Sequence, residues 1–257
     1  MEALTERQQV ILDRLIDAHI ESAQPIGSRL ITERYQLNYS PATVRHEMGA
    51  LEEVGYLTHP HTSSGRLPTD QGYRYYVDHC LQQESISGDL FEPLAGNLKE
   101  AGDGMEFLGE RVPRVLSAIS KEVGLVLVPQ TVAEDRDQAS RNKLFLQGST
   151  QLLRKPEFQD VEKVCHLFQA FEEKAMLVKW LLQNTPEEGV SVTIGQENTS
   201  EALKDCSVIS TSYGAGEEHR GTISIIGPRR MRYSRMVMLV REMAYWVDGM
   251  IEKKESE

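Results

Sequence analysis

Apolar residues at Ile11, Leu12, Leu15, Ile16 and Ala18 recur at helical spacing, behind a capping-box sequence, Thr5-Glu6-Arg7-Gln8. They predict a first helix of about four turns. Pro25 and Gly27 end it, and Ser28 is expected to cap a short second helix that turns Leu30, Ile31 and Tyr35 inward. A third helix is the best-marked element, with Ser40 as its cap, Pro41 at its first position and Gly55 beyond its end. Val44, Met48 and Leu51 define its buried face. That phase turns Ala42, Arg45, His46 and Gly49 outward, with Thr43 to one side. Tyr56-Leu57-Thr58 and Arg66-Leu67 read as extended pieces flanking the polar turn HPHTSSG. A fourth helix opens at Thr69 and runs through YRYYVDHCL. Three helices and a hairpin, with a short turn between the second and third helices, make a winged helix-turn-helix plan over residues 1–81.

Beyond this the composition shifts to Gly, Ser, Pro and acid over residues 82–104, which reads as a linker with one helical turn at most. Leu108, Val112, Val115 or Leu116, and Ile119 mark a helix from Met105 to Ser120. Residues 124–129 (GLVLVP) read as a short buried strand, and residues 131–142 as a polar connection. An amphipathic helical region follows over residues 158–183, divisible into two helices. Strands are expected at residues 190–194, 206–213 and 222–226, a closing helix at 235–251, and a tail at 252–257. Strands bracketed by helices make the second domain, residues 105–251, α+β.

The 257 residues suffice for two cores. No run approaches 18 apolar residues, and the first residues lack the layout of a signal peptide. Cys80, Cys165 and Cys206 are too dispersed for a disulfide framework or a zinc ribbon, so a cytoplasmic protein is expected. The net charge of −11 speaks against nucleic acid. Residues 1–80 alone hold seven arginines, no lysine and eleven carboxylates. A duplex would repel that mixture unless the arginines gathered on one face, so the reading requires a positive ridge from the third helix and the hairpin.

Arg45 projects one turn into the third helix, where a guanidinium can fork onto guanine O6 and N7 or clamp a phosphate. The plainer reading is a surface arginine paired with Glu47 or Glu52. Ser40 and Thr43 can donate to phosphates at the helix start, though Ser40 is equally a plain cap. In the hairpin, His61, Thr62, Ser63, Ser64 and Gly65 offer small groups that let a phosphate approach, and Arg66 can enter a narrow minor groove. The alternative there is an ordinary polar tip. Tyr73, Tyr75 and Tyr76 fit packing better than base stacking. His59-x-His61, His79-Cys80 and Cys165-His166 match no closed zinc spacing, so no metal is expected. Ala50 occupies the second histidine position of an H-E-x-x-H pattern, and no nucleophile elbow or phosphate loop occurs. No enzyme and no cofactor are expected. Arg229, Arg230, Arg232 and Arg235 form a basic run that reads by default as solvated surface, with DNA flanks, a partner protein or an anionic ligand as the alternatives.

The segment SPATVRHEMGALEEVGYLTHPHTSSGRLPTDQGYRYYVD resembles the helix-and-wing signature of the heat-inducible transcription repressor family HrcA. GSTQLLRKPEFQDVEK, IGQEN and DCSVISTSYGAGEEHRGTISIIGPRRMRY resemble its later motifs, in the same order. The resemblance implies a homodimeric repressor of chaperone genes that binds an inverted-repeat operator, has a GAF-like second domain and is coupled to the chaperonin. Relatives are longer, so a reduced GAF-like domain lacking much of the usual central portion is expected. His46 stands where the family commonly has Asn. Imidazole offers one hydrogen bond per edge where Asn offers two to adenine, so a different operator sequence is implied. Rival readings are a ligand-sensing repressor and a protein-interaction module without operator binding.

Overall fold

The computed structural model describes residues 4–61, 64–83, 105–130, 142–214 and 220–255. The chain divides into two compact units, Met1–Glu84 and Ser85–Glu257. Most of the expected linker, and the connection over residues 131–141, lie outside the described residues.

In the first unit, α1 (Glu6–Ser22) starts from the capping box: Thr5 accepts from the Gln8 amide, and the Gln8 side chain reaches back to Thr5. Its stripe of Ile11, Leu12, Leu15, Ile16 and Ala18 is fully buried. α2 (Ser28–Arg34) departs from the expected start. Gly27 is its N-cap in extended conformation, and Ser28 is already helical, so its hydroxyl caps nothing. Seven residues give α2 a narrow buried edge that Ile31 fills, leaving Tyr35 part-exposed and Leu30 42% exposed. α3 (Pro41–Glu53) buries Val44, Met48 and Leu51, as its periodicity requires, and Gly55 follows at a φ of 87°.

Two short strands, β1 (Leu57–Thr58) and β2 (Leu67–Pro68), pair antiparallel, with Leu57 opposite Pro68. Ile26, between α1 and α2, adds a third extended piece by exchanging both backbone hydrogen bonds with Arg66 at 2.9 and 2.8 Å. α4 (Asp70–Gln83) then opens under Thr69, whose hydroxyl donates to the Gly55 carbonyl at 2.6 Å and accepts from the Gly72 amide at 3.1 Å. Tyr73 and Val77 are buried, while the Tyr76 hydroxyl donates to Asp17 at 2.7 Å. The tyrosines of α4 are packing residues.

The second unit is mixed α+β. Its strands are β3 (Val123–Pro129), β4 (Asn142–Gln147), β5 (Val190–Ile194), β6 (Cys206–Tyr213) and β7 (Gly221–Pro228). They form one sheet in the order β4-β3-β7-β6-β5, with every neighbouring pair antiparallel. The described helices are α5 (Met105–Ser120), the short α6 (Ser149–Leu152), α7 (Val161–Glu172), α8 (Lys174–Asn184) and the long closing α9 (Tyr233–Glu255). One face of the sheet contributes Val123, Leu125, Leu127, Val208 and Ile226 to a core with Leu167, Phe171, Leu177, Trp180 and Leu181 of α7 and α8. The alternate residues face α5 and α9: Gly124 of β3 lies against Pro113 and Leu116 of α5, and Ser207 of β6 is 2.8 Å from the Tyr233 hydroxyl of α9.

β4 was not expected as a strand; it falls partly in the presumed polar connection. It lies at the sheet edge and buries only Leu144, so its alternation is faint. Among the described residues no helix is long and apolar enough to cross a membrane.

Candidate nucleic-acid interface

α3 presents one side to solvent because its apolar residues claim the other. Ser40 Oγ accepts from the Thr43 amide at 3.1 Å and lies 2.9 Å from Thr43 Oγ1, so the Ser40 hydroxyl acts as the helix cap and orients its neighbour. Ala42, Arg45 and His46 are exposed, and Thr43 and Gly49 are part-exposed. The helix start thus offers the Ala42 amide and two hydroxyls beside a guanidinium and an imidazole.

The seven arginines of residues 1–80 do not form the expected ridge. Arg7 pairs with Glu47 at 3.4 Å and lies over the Tyr39 ring, Arg14 pairs with Asp17, and Arg29 with Glu33. Arg34 pairs with Glu21, Arg66 with Glu52, and Arg74 with Asp78. Eleven carboxylates against seven cations make such pairing the default wherever side chains can reach. Arg45 alone carries no ion pair among the described residues. Both carboxylates that were its rival partners are taken, Glu47 by Arg7 and Glu52 by Arg66 and His59. The exposed pairs are weak, because water and salt screen them, and a phosphate can compete for them. Arg45 needs no such exchange.

The described ends of the hairpin loop, His61 and Ser64, are tied together. The Ser64 amide and hydroxyl both donate to the His61 carbonyl, at 2.9 and 2.6 Å, and the His61 amide donates back to Ser64 Oγ at 3.2 Å. His61 is exposed and Ser64 part-exposed; Thr62 and Ser63 lie outside the described residues. Arg66 differs from expectation. Its side chain is 20% exposed, with Nε 2.7 Å from Glu52 Oε2 and Nη1 donating to the Ser64 carbonyl at 3.3 Å. Nε finds no directed hydrogen bond, so the contact with Glu52 is ionic. The charge nearest the loop is therefore paired with Glu52 and largely shielded. Gly65 also has a structural reason to be glycine, since a Cβ there would lie 2.6 Å from the Ile26 backbone. In sequence Glu52 is only a rival partner for Arg45; its hold on Arg66, 14 positions away, exists only once the hairpin is folded.

In the second unit the basic run is partly neutralised. Arg229 pairs with Asp205 at 3.6 Å and Arg230 with Glu157 at 2.5 Å, while Arg232 and Arg235 are exposed. Cys206 is buried and its thiol is pushed up by burial, whereas Cys165 is exposed. His59 Nδ1 is held by Glu52, and His79 Nδ1 donates to the Tyr75 carbonyl at 2.8 Å.

Comparison with known proteins extends beyond this face. The profile of a family described as HrcA protein C terminal domain matches residues 130–237. The chain is 33% identical to the heat-inducible transcription repressor HrcA of Shouchella clausii (strain KSM-K16), over 94% of this chain and 96% of that protein. It is 30% identical to the protein of the same name from Natranaerobius thermophilus, over 98% of both chains. The first alignment runs over 330 positions against the 257 residues here, so the relative carries segments that this chain lacks. A crystal structure of a hypothetical protein superposes with a TM-score of 0.78 at 19% identity, covering 96% of this chain and 98% of that one, a likeness of fold. With the signature residues of α3 and the hairpin in place, and relatives matched over nearly their whole length, the chain belongs to the HrcA family of heat-inducible transcription repressors.

Proposed function

We propose that the chain represses heat-shock chaperone genes by binding an inverted-repeat operator as a homodimer. In this reading residues 1–81 are a winged helix-turn-helix domain with α3 as its recognition helix, and residues 105–251 are a reduced GAF-like domain. Each α3 enters a major groove, Arg45 reaches base edges or a phosphate, and His46 reads the adjoining position. Ser40 and Thr43 meet the backbone at the helix start, while His61, Thr62, Ser63 and Ser64 bring the loop against the neighbouring phosphates. The observation that carries the reading is Arg45: exposed on α3, and unlike the other six arginines of its unit free of any carboxylate among the described residues. An acidic chain that leaves one guanidinium free on a well-capped helix is suited to selective contact instead of general attraction to phosphate. Dimerisation and coupling to a chaperonin are supported by the family membership.

Fluorescence anisotropy on the chain's own chaperone-promoter duplex, against a scrambled duplex, tests this. Binding to the promoter is expected to fall steeply with salt, and Arg45→Ala to weaken it by about 1–3 kcal/mol. Equal competition by the two duplexes would end the repressor reading. Sedimentation at micromolar concentration is expected to give twice the mass of one chain, with or without DNA. A monomer under both conditions would remove the dimer, and with it the match to a palindrome.

A further inference from the structure

Glu52 stands in the last turn of α3 with its two oxygens turned to different legs of the hairpin. Oε1 meets Nδ1 of His59, just beyond β1, and Oε2 lies 2.7 Å from Nε of Arg66, just before β2. Both members of the Arg66 pair are largely shielded, at 20% and 23% exposure, whereas the Arg29–Glu33 pair stands in solvent at 83% and 63%. Salt and water screen a shielded pair less, and pulling Arg66 outward would leave a part-buried carboxylate without its strongest cation. The Arg66 backbone is also fixed, through both hydrogen bonds to Ile26. Arg66 is thus the cation of this face that is least able to turn to a passing phosphate.

We infer that Glu52 is a positioning residue that withholds Arg66 from the phosphate backbone and so limits the sequence-independent part of DNA binding. This rests on the repressor reading of α3. A phosphate contact strengthens binding to every duplex alike, while selectivity comes from base edges. Withholding one cation beside the loop lowers the chain's grip on arbitrary DNA and leaves the free guanidinium of Arg45 to act at the groove.

The slope of log Kobs against log salt counts phosphate contacts, at about 0.9 per contact on duplex DNA. The proposal is tested by measuring it for the full-length wild type, Glu52→Gln, Arg66→Gln and the double variant, on promoter and scrambled duplexes. Glu52→Gln is expected to steepen the slope by about 0.9 on both duplexes and to tighten scrambled-duplex binding at low salt. Arg66→Gln alone is expected to leave the slope where it was, and the double variant to return it to the wild-type value. A merely structural role for Glu52 would not be reversed by removing Arg66. The inference is overturned if Arg66→Gln alone flattens the slope by about one contact, or if Glu52→Gln leaves it unchanged. A wild type that binds both duplexes equally defeats the repressor reading while the slopes still decide the role of Glu52. A wild type that binds neither overturns both.

Discussion

Gly65→Ala is expected to destabilise the first unit by about 3 kcal/mol, at the top of the usual range for overpacking. A Cβ at this position would stand 2.6 Å from the carbonyl carbon and oxygen of Ile26 and 2.7 Å from its amide nitrogen. Non-bonded carbons rest about 3.5–4.0 Å apart, so the two backbones would have to separate by about 1 Å. Nothing flexible can give way, because the obstacle is main chain. That main chain makes the two hydrogen bonds between Ile26 and Arg66, and the Ile26 side chain is buried. Losing both bonds costs about 0.5–1.5 kcal/mol each, before the core around Ile26 readjusts. Gly49, in α3, is the contrast. A Cβ there meets nothing within 4 Å, so Gly49→Ala is expected to stabilise the unit by about 0.5–1 kcal/mol through helix propensity. Urea unfolding followed by circular dichroism checks both. Equal stability of Gly65→Ala and wild type would mean that Ile26 and the hairpin do not meet as described.

This contact also marks where the sequence ceases to be legible. α1 and α3 are legible from capping residues and apolar spacing, and α5 from spacing alone, because their determinants lie within a turn or two of each other. The outward set on α3 followed from the same periodicity, and Ala42, Arg45 and His46 are indeed exposed. Contacts between distant segments left no such trace. Gly65 reads locally as a small tip residue that lets a phosphate approach, yet its constraint comes from Ile26, almost forty positions earlier. Arg66 reads as a cation aimed at DNA, yet its partner Glu52 lies on the other side of the hairpin. β4 was missed because an edge strand with one buried residue has little pattern to show. Ser28 reads as the cap of α2, yet Gly27 takes the extended cap conformation without offering a side chain.

The arginines change how the acidic balance is understood. A net charge of −4 over residues 1–80 first reads as an obstacle, to be overcome by crowding cations onto one face. The fold instead distributes carboxylates so that, among the described residues, six arginines are engaged and Arg45 is not. Fewer free cations means weaker attraction to arbitrary duplex and a larger share for base contacts. The acidic composition is then compatible with the repressor reading.

The second large effect lies in the other unit, where lowering the pH from 8 to 5 is expected to stabilise the wild type through Glu122. This residue precedes β3 and is 5% exposed. Burial pushes its carboxyl up to about 7, against the pull of Lys155, whose Nζ lies 2.5 Å from Oε1, and of Arg230; Glu157 adds to the upward push. Lys155 remains 21% exposed and hydrated, which weakens its attraction, and Glu122 Oε2 has no hydrogen-bond partner among the described residues. Desolvation therefore wins. Between about 4.5 and 7 the folded chain holds a proton that the unfolded chain has released, so this contribution to stability is complete below that window. It is lost as the pH rises through 7. The shift corresponds to about 2–3 kcal/mol between pH 5 and 8. Asp13 in the first unit, raised to about 6 by burial and by Asp17, adds a dependence of the same sign. Comparison with Glu122→Gln cancels that part, because the variant leaves Asp13 in place and mimics the protonated glutamate. Urea unfolding of the second unit, followed by Trp fluorescence, is expected to show the glutamine variant gaining about 2–3 kcal/mol on the wild type when the pH is raised from 5 to 8. A constant difference between the two proteins across that range would mean that Glu122 stays ionised throughout, with Lys155 outweighing its burial.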